Sequence, residues 1–100
     1  MTDPIYLLVI VKNGTEAWYR LSKEEQDRLW VKAKEIDGRA GAKWHLACSS
    51  RWADEEVQAW GVLEYPNIEA YLRKVGELEE LDWWRYFSVK SILGTRVQVP

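Results

Sequence analysis

The chain of one hundred residues has a single cysteine, a single histidine and only three prolines, and its charges nearly cancel. Each shortage excludes something. The lone Cys48 excludes an internal disulfide and a cysteine-cluster zinc site. The lone His45 excludes a multi-histidine metal site within one copy. A net charge of −2 and a pI near 5.4 argue against tracking of a phosphate backbone, which needs a basic footprint. The apolar run Ile5–Val11 is too short to cross a bilayer. Met1-Thr2-Asp3-Pro4 carries an acid where a signal peptide would carry basic residues. A cytoplasmic protein is expected, with neither membrane nor nucleic acid as partner.

What the chain has in quantity is tryptophan, seven residues of it beside five tyrosines. Large aromatics suit cores, interfaces and pockets for flat ligands. Hydrophobic residues at 47% and charged residues at 30% describe a chain that folds. The length predicts one domain over residues 1–100. Such a domain buries roughly 60–65% of its unfolded surface, so pairing with a second copy would be a natural way to bury more.

The run Tyr6–Val11, rich in β-formers, predicts a strand buried on both faces, ended by the turn signal Lys12-Asn13-Gly14. Ser22-Lys23-Glu24-Glu25 is a capping box, in which Ser22 caps a helix and Glu25 reaches back. That helix sets Leu29, Trp30, Ala33 and Ile36 on one stripe, and Gly38 is the candidate residue for its C-terminal end. Strands are expected over 44–52 and 57–65, joined through Ala53-Asp54-Glu55-Glu56. Asn67 caps a second helix with Ile68, Tyr71, Leu72, Val75 and Leu78 on its buried stripe. Asp82 caps a further turn through Tyr86, and a last strand runs from Phe87 to about Val97. The order βαββαβ predicts an α+β ferredoxin-like sandwich, with both helices on one face of one sheet.

Two helices leave the other face uncovered. Alternation puts Ile5, Leu7, Val9, Val11, Trp44, Leu46, Cys48, Ala59, Gly61, Leu63 and Tyr65 under the helices. It puts Tyr6, Leu8, Ile10, His45, Ala47, Ser49, Arg51, Gln58, Trp60, Val62 and Glu64 on the open face, provided that no bulge reverses a strand's phase. Apolar residues mixed with a few polar groups mark an interaction surface or a pocket wall. Two such faces brought together would close a dimeric α/β barrel around a lumen.

With Trp18 ahead of Leu21-Ser22-Lys23-Glu24-Glu25, Tyr65-Pro66, and Trp83-Trp84-Arg85-Tyr86-Phe87 leading to Gly94, the chain resembles the darcynin-type proteins. It is similar as well to the small ferredoxin-like protein of prodigiosin clusters, within the dimeric α/β-barrel superfamily. The resemblance implies a homodimer and a role near secondary metabolism. It carries over no catalytic residue. No motif diagnostic of the superfamily's polyketide cyclases, cofactor-free monooxygenases, muconolactone-type isomerases or haem-degrading enzymes is present.

On the open face, His45 is the candidate acid or base, or else a hydrogen-bonded histidine at a dimer seam. Tyr6 and Arg51 are candidates to steady developing negative charge. Trp60 with Tyr6 would form a wall for a flat substrate, or simply pack across the seam. Leu8, Ile10 and Val62 would line the pocket, with Glu64 and Ser49 as polar contacts, although Arg51 and Glu64 also suit a rim salt bridge. Tyr86 would reach the pocket mouth, or belong to an aromatic plug. Cys48 is read as a buried small hydrophobe on the helix side.

The leading expectation is an enzyme of secondary metabolism that needs no cofactor. It would perform cyclisation, isomerisation or aromatisation on a hydrophobic aromatic or polyene-like ligand held in the lumen. The alternative is a binding or carrier protein for the same kind of ligand. Two further readings are an RNA-recognition-like module, echoed by Trp60-Gly61-Val62-Leu63-Glu64-Tyr65, and a haem protein using His45 as axial ligand.

Overall fold

The apolar run of the first strand occupies the middle of an antiparallel sheet. The computed structural model describes residues 3–100. Strand β1 (Ile5–Gly14) lies between β3 (Ala59–Tyr65) and β4 (Phe87–Gly94), and β2 (Lys43–Ser49) pairs with the far side of β3. The sheet order is β2-β3-β1-β4. Helices α1 (Glu16–Tyr19), α2 (Lys23–Arg39) and α3 (Ile68–Glu80) and a 3₁₀ turn over Trp83–Arg85 complete the described residues. This is the ferredoxin-like α+β sandwich that the order of elements predicts.

The caps explain where the long helices begin. Ser22 accepts a hydrogen bond from the Glu25 amide, and the Glu25 carboxylate accepts one from the Ser22 amide, which closes the capping box. Asn67 accepts from the Ala70 amide at 2.8 Å to start α3. The end of α2 departs from expectation. Gly38 lies inside the helix, Ala40 is its C-cap, and Gly41 behind it takes the left-handed conformation at φ 74°. Asp82 precedes the 3₁₀ turn, as expected, but at φ 59° and without a side-chain cap bond.

Packing under the helices centres on Leu7, Leu63, Tyr65 and Ala40, with Ala33, Ile36 and Leu78 forming a second cluster between the helices. A fully buried side chain of this kind contributes about 1.5–3 kcal/mol. The α3 stripe is narrower than predicted, because Leu72 is 58% exposed. Helix α1, not foreseen in the sequence, buries Trp18 against Phe87, with ring centroids 4.6 Å apart. Trp30, Trp83 and Phe87 continue this aromatic cluster at spacings of 4.9–5.5 Å.

Strand β2 corrects the assignment of faces. Trp44 stands opposite Leu63, but Leu46 stands opposite Val62, so His45 is an extra residue in a bulge. Beyond it the phase reverses. Directly opposed residues share a face, so Leu46 and Cys48 join Val62 and Trp60 on the open side, while Ala47 and Ser49 join Gly61 and Ala59 on the helix side. Strand β2 also ends at Ser49, β3 starts at Ala59 and β4 ends at Gly94, all shorter than expected. Arg51 therefore sits in the exposed turn after β2.

Candidate functional site

The helix side encloses a cleft of about 180 Å³ between the sheet and the helical layer. Its walls are aromatic and aliphatic, with Trp44 from β2, Tyr71 from α3, Trp30 from α2, and Trp83 and Phe87 from the far end. Two charges interrupt this lining, Asp37 and Lys74. Asp37 follows Ile36 on the buried stripe of α2, and Lys74 lies between Tyr71 and Leu78 on the buried stripe of α3. The two facing stripes bring them together.

Lys74 Nζ lies 3.0 Å from Asp37 Oδ1 and donates a short hydrogen bond to the Tyr65 hydroxyl. That hydroxyl in turn donates to Asp37 Oδ1 at 3.0 Å. The ammonium also lies 4.9 Å from the Tyr65 ring centroid and 6.0 Å from that of Tyr71. The Lys74 side chain is only 12% exposed, so its charge is held by this carboxylate, this hydroxyl and these two π faces. Burial pushes the Tyr65 phenol far above its ordinary value, and the neighbouring Asp37 charge adds to the effect. Burial raises Tyr71 as well, against the opposing hydrogen bond with Ser91. Both tyrosines therefore stay protonated and act as hydrogen-bonding groups.

The open face carries a separate polar cluster. His45 Nε2 lies 2.7 Å from Glu64 Oε1. The rings of His45 and Tyr6 are 5.9 Å apart. Arg96 Nη2 donates to the Tyr6 hydroxyl at 3.1 Å. The hydrogen bond from His45 is the main cause that holds the Glu64 carboxyl below its ordinary range, partly opposed by burial and aided by Lys43 and Tyr6.

Of the residues expected on the open face, the structure brings together His45, Tyr6 and Glu64, with Leu8 and Val62 beside them on the same face. Ile10 and Trp60 oppose one another further along that face. Arg51 lies beyond the other end of β2, separated from His45 by at least four residues of strand, roughly 13 Å. Ser49 faces the helix side, and Tyr86 packs edge-on against Trp18, with centroids 6.1 Å apart, in the aromatic cluster. Cys48 is on the open side rather than under the helices, three strand positions or roughly 10 Å from His45. Among the described residues no group of three or more His, Cys, Asp or Glu side chains could hold a metal ion. No helix is long and apolar enough to cross a membrane among those residues either.

Sequence reasoning missed Asp37, Lys74, Tyr65 and Arg96. The signal for the first two was present, since each stripe predicted to be buried carries one charge of opposite sign. Nothing local marked Arg96, which meets Tyr6 across 90 positions of sequence.

No family model matches the chain, and no curated protein matches it in sequence. Solved structures do match in shape. One is a protein of unknown function from Rhodopseudomonas palustris, 15% identical, which covers 99% of this chain and 86% of its own at a TM-score of 0.68. Another is SnoaB, a cofactor-independent oxygenase from Streptomyces nogalater, 14% identical, with coverage of 97% and 96% at a TM-score of 0.61. What is shared is the fold.

Proposed function

We propose that this chain is a small-molecule enzyme that holds one aromatic, phenol- or enol-bearing ring in the cleft between helices and sheet and acts on it by proton transfer, without a tightly bound cofactor. The observation that carries this reading is the Asp37–Lys74 pair, the one charged point among the described residues that line an otherwise largely aromatic and aliphatic cleft. An apolar cavity of about 150 Å³ takes up benzene, so about 180 Å³ suits a single ring. Asp37 is the one carboxylate in the lining and accepts the proton. Lys74 is the one cation, and it steadies the oxyanion that forms, in surroundings that make such an interaction stronger than in water. Tyr65, held protonated, fixes the position of both.

Removal of that proton is a shared first step of isomerisation, cyclisation and direct reaction with dioxygen. SnoaB, whose described activity is a cofactor-independent oxygenation, supports chemistry of this kind on this fold. A place in secondary metabolism, implied by the darcynin-type resemblance, belongs to the same proposal. So does a homodimer formed through the open face, where Ile10 and Trp60 stand directly opposed at the end of the sheet away from Tyr6. This reading gives the proton transfer to Asp37 and Lys74; His45 and Tyr6 lie together on the open face, and Arg51 lies beyond the end of β2.

The test uses 4-nitrophenol, whose colour reports its ionisation. Bound beside Lys74, it should ionise at a lower pH than in buffer. Lys74→Met should abolish that shift while retaining uptake of the ring. No uptake, or uptake without a shift in ionisation, would sink the proposal.

A further inference from the structure

A second concavity lies on the opposite side of the sheet, where β1 begins and β4 ends. It is an open trough of about 430 Å³ rather than an enclosed cavity. Its floor is Leu8, Val62 and Ile92, directly opposed across three neighbouring strands. One wall is the segment after β4, from Thr95 to Val97. Tyr6 and Arg96 form its polar end.

The charges at that end do not cancel. The Glu64 carboxylate is committed to His45, at 2.7 Å, and takes further hydrogen bonding from Tyr6. Lys43 adds its own charge from the facing position on β2. Arg96 meets the Tyr6 side chain alone, through one donor at 3.1 Å and with its guanidinium 5.3 Å from the ring centroid. Among the described residues no carboxylate pairs with it. A guanidinium has five N–H donors in a planar fork suited to a carboxylate, and four of these are left. The cation–π contact and the hydrogen bond with Tyr6 hold that fork at the end of an apolar trough.

We propose that this groove binds an amphipathic carboxylate, with its head on Arg96 and its apolar tail along Leu8, Val62 and Ile92. Charge complementarity selects the head and the three aliphatic floor residues select the tail. The site is distinct from the cleft beneath the helices, and the inference stands whether or not that cleft is catalytic.

Calorimetric titration of the full chain with octanoate and with octan-1-ol tests it. Octanoate should bind several-fold more tightly than the alcohol. Arg96→Gln should weaken octanoate about 3- to 10-fold, as expected for the loss of an exposed charge pair, and leave the alcohol within about twofold. Arg96→Lys should restore part of the loss. Arg96 is exposed and lies past the end of β4, so these changes leave the fold intact, and circular dichroism checks this. Equal affinity for acid and alcohol, or an unaltered Arg96→Gln variant, would overturn the proposal. A chain that self-associates and takes no octanoate would overturn it too, by giving this face to a second copy alone.

Discussion

The indole of Trp44 lies across Gly61, so closely that a Cβ at position 61 would stand 2.5 Å from Trp44 Cζ3 and 2.8 Å from the Leu46 carbonyl oxygen. Glycine is therefore required here by space and not by backbone angle. Trp44 is 55% exposed, yet it forms one wall of the inner cleft, and the bare backbone of Gly61 lets it lie down on the sheet.

Gly61→Ala should accordingly destabilise the protein by about 1–3 kcal/mol, the usual range for overpacking. Urea denaturation measures it. Part of that cost comes from the ring and part from the Leu46 carbonyl. In a Trp44→Ala background the same change should cost less but not nothing, and equal costs in both backgrounds would contradict the geometry.

The Asp37–Lys74 pair predicts strong coupling. Asp37→Asn or Lys74→Met leaves a largely enclosed charge without its partner. Each should cost about 1–3 kcal/mol, below the value for full burial because both side chains retain some exposure. The double variant should be more stable than the sum of the single losses implies, since it strands no charge. Additive losses in denaturant melts would show that the two do not act as a pair.

Stability should decline at both ends of the pH scale, for opposite reasons. Glu25, bonded within the capping box, and Glu64, bonded to His45, ionise more readily folded than unfolded. Their contribution is present above the ordinary glutamate value of 4.5 and is lost as pH falls below it, where the unfolded chain binds more protons. Tyr65 and Tyr71 shift the other way. The unfolded chain loses these protons from about the ordinary value of 10 upward while the folded chain keeps them, so stability falls as pH rises beyond 10. Phenolate absorbance should show Tyr65 titrating only with unfolding, and Tyr71 above its ordinary value of 10. Five tyrosines that ionise together in the native protein would contradict the burial of Tyr65.

Local chemistry alone determined much of this protein. The Ser22–Glu25 capping box, the Asn67 cap, the β-forming run after Ile5 and the βαββαβ order are short-range signals, because each depends on hydrogen bonds and side-chain periods within a few residues. They specified the sandwich and the uncovered face. The single extra residue at His45 was invisible to a period-two reading, because a bulge is settled by which residue of the partner strand each backbone group finds. It moved Leu46, Ala47, Cys48 and Ser49 to the opposite faces. Only the tertiary structure decided that Asp37 from one helix and Lys74 from another would meet at the Tyr65 hydroxyl, or that Arg96 would lie over Tyr6. These contacts join elements distant in sequence, and the packing of helix on sheet, rather than any local preference, sets the distance between them.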